Sequence, residues 1–243
     1  MRRDAVAADV RRDRIARAVK GVSIFRGLAA ADQERLAALA TLKNCRRGDY
    51  LWRAGDPAEQ LTIIVSGRVK LVGHADAGDV ILELFGPGEP VGAIAVYNYI
   101  PYPASAVCLE PTLLLSLPRR DFFELLDRQP DFARHLIGEL TKLVVSLTRK
   151  LGERRGQRVE VRIAQLFLEL AGRMGKQAKN GSIEIPLVLS RQEVAELVGT
   201  TTESAIRVLA RWGREGILIS GEKRFVLPSR DRLRKMAEAE GER

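Results

Sequence analysis

Ser190 to Arg214 reads SRQEVAELVGTTTESAIRVLARWGR, and its punctuation is that of two short helices joined by a tight turn. Ser190 followed three residues later by Glu193 forms a capping box, which starts a first helix at Arg191 and turns Val194, Leu197 and Val198 inward. Gly199 ends that helix. Three threonines carry the turn, and from Thr202 the apolar residues Ala205, Val208, Leu209 and Trp212 fall at the i, i+3, i+4, i+7 spacing of one buried face. The small Ala195 suits a close crossing of the two helices. This is the pattern of a helix-turn-helix.

The second helix keeps its other face free, and Glu203, Arg207 and Arg211 lie along it. On a helix that enters the major groove by its first turns, a guanidinium reaches guanine O6 and N7, and a carboxylate accepts from the amino group of cytosine. Glu203 and Arg207 are therefore expected to read one G·C step. Taken alone, the pair also fits a surface ion pair at i, i+4 worth a few tenths of a kcal/mol. The segment that follows favours base reading, because Ile217–Ser220, the turn Gly221-Glu222-Lys223 and Arg224–Leu227 read as a hairpin, which makes the module winged.

The 243-residue chain is long enough for two modest domains, and 46% hydrophobic content marks it as globular. A net charge of +9 suits a polyanionic partner, nucleic acid before an anionic membrane. No run approaches about 18 consecutive apolar residues, and MRRDAVAADVRRDRIARAVK lacks the apolar centre of a signal peptide, so a cytoplasmic protein without membrane contact is expected. Cys45 and Cys108, the only cysteines, are read as buried or half-buried thiols without a metal site or disulfide.

Residues 1–22 are read as a solvated basic arm, with a helix as the alternative. Between about Cys45 and Leu117, short apolar runs such as Leu61–Val65, Val80–Phe85 and Leu113–Leu117 alternate with glycines, the signature of an antiparallel sandwich or barrel. A jelly roll over 23–118 is expected. From Asp131 a long helix follows, in which Ile137, Val144 and Leu151 repeat every seven residues and Ala133, Leu140 and Leu147 repeat in the complementary position. That seam fits pairing with a second copy, or packing against the helix's own domain. GERRG at 152–156 is a charged, glycine-flanked hinge, giving a dimerisation segment over 119–155 and a DNA-binding domain over 156–243. The whole is an α+β chain: jelly roll, long dimerisation helix, winged helix-turn-helix.

In that order, these elements resemble the family of the cyclic-AMP receptor protein and the fumarate and nitrate reduction regulator. LSRQEVAELVGTTTESAIRVLARWGREGIL at 189–218 carries the resemblance almost residue for residue, and RRGDYLWRAGDPAEQLTIIVSGRVKLV and LFGPGEPVG carry it in the roll. The resemblance implies a homodimeric transcription regulator that places residues 202–214 of each subunit in successive major grooves, and contacts RNA polymerase if it activates. It assigns base contacts to Thr202, Glu203 and Arg207. Ser190, Arg191 and Thr201 are expected at phosphates, with Arg211 beside them. Thr202 stands where cyclic-AMP-responsive members carry an additional Arg, so a half-site closer to TTGA than to TGTGA is expected.

By the same resemblance an effector pocket involves Gly92, Ala93, Ile94, Tyr97, Tyr102 and Pro103. Here the family's Glu after Gly is Ala93, and its Arg-Ser pair is replaced by Tyr102-Pro103, which removes the cation for a phosphate and argues against cyclic AMP. Tyr97, Tyr99, Ile100 and Tyr102 form an aromatic wall that either lines a pocket for another molecule or packs on the long helix. No cysteine precedes Cys45, against the family's iron–sulfur cluster. Haem, through His74 in the turn GHADAGD, His135 or Cys108, is the alternative sensor. An enzyme is not expected, since no nucleophile elbow, HExxH or phosphate-binding glycine loop is present. The competing class is a ligand-binding regulator that uses its winged helix for protein contacts.

Overall fold

A computed structural model describes residues 2–75, 78–153 and 157–238, with side chains over 12–74, 78–148 and 157–238. By internal contact the chain divides into two units, Met1–Gly78 with Leu82–Ser146, and Asp79–Ile81 with Leu147–Arg243.

The first unit opens with α1 (Arg2–Gly21), a 3-10 turn at Ser23–Phe25 and α2 (Ala30–Leu39). The strands β1 (Thr41–Cys45), β2 (Tyr50–Trp52), β3 (Gln60–Ser66), β4 (Val69–Ala75), β5 (Gly78–Phe85) and β6 (Pro90–Val91) follow. A short helix α3 (Ala93–Tyr97) leads to β7 (Ser105–Cys108) and β8 (Thr112–Pro118), then to α4 (Arg119–Arg128) and α5 (Pro130–Glu153). The strands form two four-stranded sheets in the orders β1-β8-β3-β6 and β2-β7-β4-β5. β8 pairs antiparallel with β1 (Thr41 to Ser116) and with β3 (Gln60 to Pro118). These non-sequential neighbours make the sandwich a jelly roll, as expected. Leu61, Ile63, Ile64, Val69, Val91, Leu115 and Leu117 are buried in the roll's core. Gly67, at φ 86, turns β3 into β4, and a Cβ there would meet the Thr112 hydroxyl at 2.5 Å and the Pro111 carbonyl at 2.6 Å. Only glycine fits.

Two expectations are corrected in this unit. The amino-terminal segment is a helix rather than a solvated arm: Ile15, Ala18 and Val19 at its end, with Val22, are buried in the roll's core. Interleaved arginines made it look solvated, yet the spacing of 15, 18, 19 and 22 is that of an apolar helix face. His74 belongs to β4, not to a turn, because the strand continues past Val72 to Ala75.

Of the expected seam on α5, Leu140 packs against the roll, while Ile137 and Val144 do not. Phe132 and Leu136 are buried in the roll's core and Leu140 and Leu143 pack against it, so the helix docks on its own domain. Ile137 (62%), Val144 (57%) and Val145 (63%) remain exposed on the other side. Ala133 and Leu147 are half-buried, and the side chain of Leu151 lies outside the described residues, as do Arg154, Arg155 and Gly156 of the expected hinge. The division between units falls inside α5, between Ser146 and Leu147.

Cys45 and Cys108 are buried free thiols. Burial first, then the neighbouring Cys45, pushes the Cys108 thiol up from 9.0 to about 12, and burial pushes the Tyr102 phenol up from 10.0 to about 12. Both groups stay protonated in the fold at pH values where the unfolded chain has already lost those protons. Their contribution is therefore complete below pH 9.0 and declines as pH rises towards about 12. The denaturant midpoint of the roll is expected to hold steady up to about pH 8.5 and to fall above it, with a shallower fall in Cys108→Ala. A midpoint flat to pH 11 in the unaltered protein would count against this.

The second unit contains α6 (Val159–Met174), β9 (Lys176–Gln177), β10 (Ile183–Ile185), α7 (Arg191–Val198), α8 (Thr202–Arg214), β11 (Ile219–Ser220), β12 (Phe225–Leu227) and α9 (Arg230–Glu238). The expected hairpin is present as β11 and β12, with Ile219 opposite Val226, and it continues through β10 into β9. Ile163, Phe167, Leu170, Leu209, Trp212, Phe225 and Leu233 are buried, and the rings of Phe167 and Phe225 meet edge to face at 4.8 Å.

Candidate nucleic-acid interface

The capping box is formed in both directions. The Glu193 amide donates to Ser190 Oγ at 3.0 Å, and the Ser190 amide donates to Glu193 Oε2 at 2.8 Å. These contacts satisfy amides that the first turn of α7 leaves without helical partners. Gly199, at φ 66, closes α7 in the left-handed conformation, and Arg162 of α6 donates to the carbonyls of Val198 at 2.6 Å and Gly199 at 2.8 Å. A cation at a helix C-terminus complements its partial negative charge. Arg162 was not among the expected residues, since no local pattern links it to a turn 37 positions away. Thr201 caps α8, accepting from the Ser204 amide at 3.3 Å. Removing the first cap in Ser190→Ala is expected to lower the stability of this unit by about 1 kcal/mol. A thermal or denaturant midpoint unchanged from the parent would contradict that.

The two faces of α8 differ as the spacing predicts. Ala205, Val208, Leu209 and Trp212 are buried, while Glu203, Ile206, Arg207 and Ala210 are exposed and Thr202 is half-exposed. Ser190 and Thr201 stand at the amino ends of α7 and α8, where amide groups favour an anion. Arg191 reaches across to the wing strand, donating to Ser220 Oγ at 3.1 Å.

Arg211, expected beside the phosphates, has carboxylate neighbours in its own unit. Its guanidinium pairs with Glu160 of α6 at 2.6 Å and stands 3.9 Å from Glu215. The hydrogen bond that Arg211 donates to the Glu160 carboxylate holds this guanidinium above its usual range. Arg211 thus ties α8 to α6 at the protein surface. Helical spacing aligned it with Glu203 and Arg207, whereas the carboxylate that claims it arrives from another helix.

In the roll, the six residues expected around an effector are split. Gly92 precedes α3 at φ 76, and a Cβ there would lie 2.6 Å from the Tyr102 ring and 3.0 Å from Trp52. Tyr102 stacks on Trp52 with centroids 3.9 Å apart, its hydroxyl donates to the Gln60 carbonyl at 3.2 Å, and the Trp52 indole donates to the Ala104 carbonyl at 3.1 Å. Gly92, Ala93 and Tyr102 therefore belong to a packed interior, whereas Ile94, Tyr97 and Pro103 are exposed. The aromatic wall divides likewise: Tyr97 and Tyr99 lean on Phe123 of α4 at 5.6 and 5.2 Å, and the Arg119 guanidinium lies 4.7 Å above the Tyr99 ring. His74 is exposed on β4, His135 is exposed on α5, and Cys108 is buried on β7. Among the described residues no helix is long and apolar enough to cross a membrane.

Two family models match the chain: a cyclic nucleotide-binding domain over residues 42–129 and a Crp-like helix-turn-helix domain over 161–236. The cyclic AMP receptor protein of Thermus thermophilus is 28% identical over 204 residues, covering 84% of this chain and 91% of that protein. A CRP-like cAMP-activated global transcriptional regulator of Mycobacterium tuberculosis is 26% identical over 192 residues, covering 79% and 85%. The structure of FixK2 from Bradyrhizobium japonicum superposes with a TM-score of 0.70 at 22% identity, covering 81% of this chain and 96% of that one, a likeness of fold.

Proposed function

The chain belongs to the CRP/FNR family of DNA-binding transcription regulators, and from that premise we propose that it binds, as a homodimer, a pseudo-palindrome with TTGA-like half-sites. The observation that carries this reading is the outward face of α8, where Glu203 and Arg207 stand exposed opposite a fully buried apolar face. Arg207 would take guanine O6 and N7, Glu203 the amino group of the paired cytosine, and Thr202 lacks the fork needed for a further guanine. Ser190, Arg191 and Thr201 would hold phosphates. The exposed Ile137, Val144 and Val145 supply a surface for the second copy. RNA polymerase would be a further partner at promoters where the protein activates, and catalysis has no place in this scheme.

The effector, if any, would be neither cyclic AMP nor an iron–sulfur cluster. Tyr102 packed on Trp52 supports the first exclusion, because its ring takes the place beside Gly92. For the cluster, the chain offers only two thiols, both buried in the roll. An effector would act by biasing the geometry of the dimer helix rather than by touching DNA.

Selection from random duplexes, followed by affinity measurements across salt concentrations, tests the proposal. Specific binding that weakens steeply as salt rises is expected, because phosphate contacts release counterions. Recovery of no preferred duplex would favour a regulator working through protein contacts. A strong second guanine in each half-site would overturn the TTGA assignment.

A further inference from the structure

On α8 every large apolar side chain but one is buried: Val208, Leu209 and Trp212 face the interior, while Ile206 is 47% exposed. With 3.6 residues per turn, Glu203, Ile206 and Arg207 fall within an arc of about 100° on the helix surface. Ile206 thus shares the face assigned to base reading, and it breaks the polar character of that face. An aliphatic group held in water gains when it is covered. Its branched Cβ also leaves essentially one rotamer in a helix, so it has little side-chain freedom to lose on contact. The edges of the base pairs in the major groove are mainly donors and acceptors, and the one methyl they present in unmodified DNA is that on C5 of thymine.

We infer that Ile206 reads a thymine methyl next to the G·C step assigned to Glu203 and Arg207. The inference rests on α8 being the recognition helix and adds what a guanidinium and a carboxylate do not supply, a preference for thymine beside the G·C pair. In unmodified DNA a cytosine at that position offers an amino group and no methyl, which leaves the isoleucine against a polar edge.

The test uses the full chain and the duplex recovered by selection, with each thymine replaced in turn by uracil, which removes the methyl and keeps every hydrogen-bonding group. At one symmetry-related pair of positions, uracil weakens binding by roughly fourfold per half-site and about fifteenfold in both, the worth of a covered methyl-sized group. Ile206→Ala binds the thymine and uracil duplexes equally while still preferring G·C at the neighbouring step. Ile206→Val, which keeps the branch, retains part of the penalty. The side chain is exposed, so neither substitution disturbs the core. Uracil tolerated at every position by the unaltered protein overturns the inference and leaves the reading of α8 standing. A uracil penalty of the same size in Ile206→Ala assigns the methyl to another side chain and overturns it equally. A chain that selects no duplex removes the inference together with the reading beneath it.

Discussion

Arg207→Ala is expected to weaken operator binding by about 1–3 kcal/mol in each half-site, roughly 30-fold or more over two half-sites, and to erase the preference for guanine at the step it reads. The guanidinium is exposed and Arg207 contributes nothing to the buried face of α8, so the denaturation midpoint should match that of the unaltered protein. The two readouts separate base recognition from folding. Arg211→Ala provides the contrast, because its guanidinium is engaged by Glu160 at 2.6 Å. Its expected phenotype is unchanged base preference, with any loss of affinity spread evenly over sequences. If Arg207→Ala kept its guanine preference, the assignment of Arg207 to base reading would fall.

The second large effect is expected on α5. Placing glutamates at both Ile137 and Val144 puts two carboxylates on each copy of the surface proposed to pair two chains, and like charges meeting across a desolvated seam oppose association. The double variant is expected to sediment as a monomer and to lose operator affinity by about a hundredfold or more, since two linked half-site contacts bind far more tightly than one. Its roll should remain folded, because Phe132, Leu136, Leu140 and Leu143 dock the helix from the other side. Dimers of undiminished stability would place the subunit contact elsewhere.

The seam illustrates how far sequence reading extends. A seven-residue repeat picks out Ala133, Leu140 and Leu147 beside Ile137, Val144 and Leu151, and it passes over Phe132, Leu136 and Leu143, which dock α5 on the roll. Phe132, Leu136 and Leu140 face the roll while Ile137 and Val144 do not, a choice set by where α5 leaves the roll. The tyrosines make the same point. Tyr97, Tyr99 and Tyr102 sit within six residues, yet Tyr102 is buried on Trp52 and the other two lie exposed against Phe123. β1 left no apolar run to find, because it is an edge strand with mostly exposed side chains.

The sequence by itself determined the helix-turn-helix, its capping box, the buried quartet of α8 and the free face carrying Glu203 and Arg207. All of these depend on positions a few residues apart, where backbone geometry fixes which side chains meet. Only the tertiary structure decided that Ile15, Ala18, Val19 and Val22 belong to the roll's core, that Arg162 closes α7, that Arg211 is claimed by Glu160, and that Tyr102 fills the space beside Gly92. In each case the partner is distant in sequence, and it is brought near by packing that no local spacing encodes.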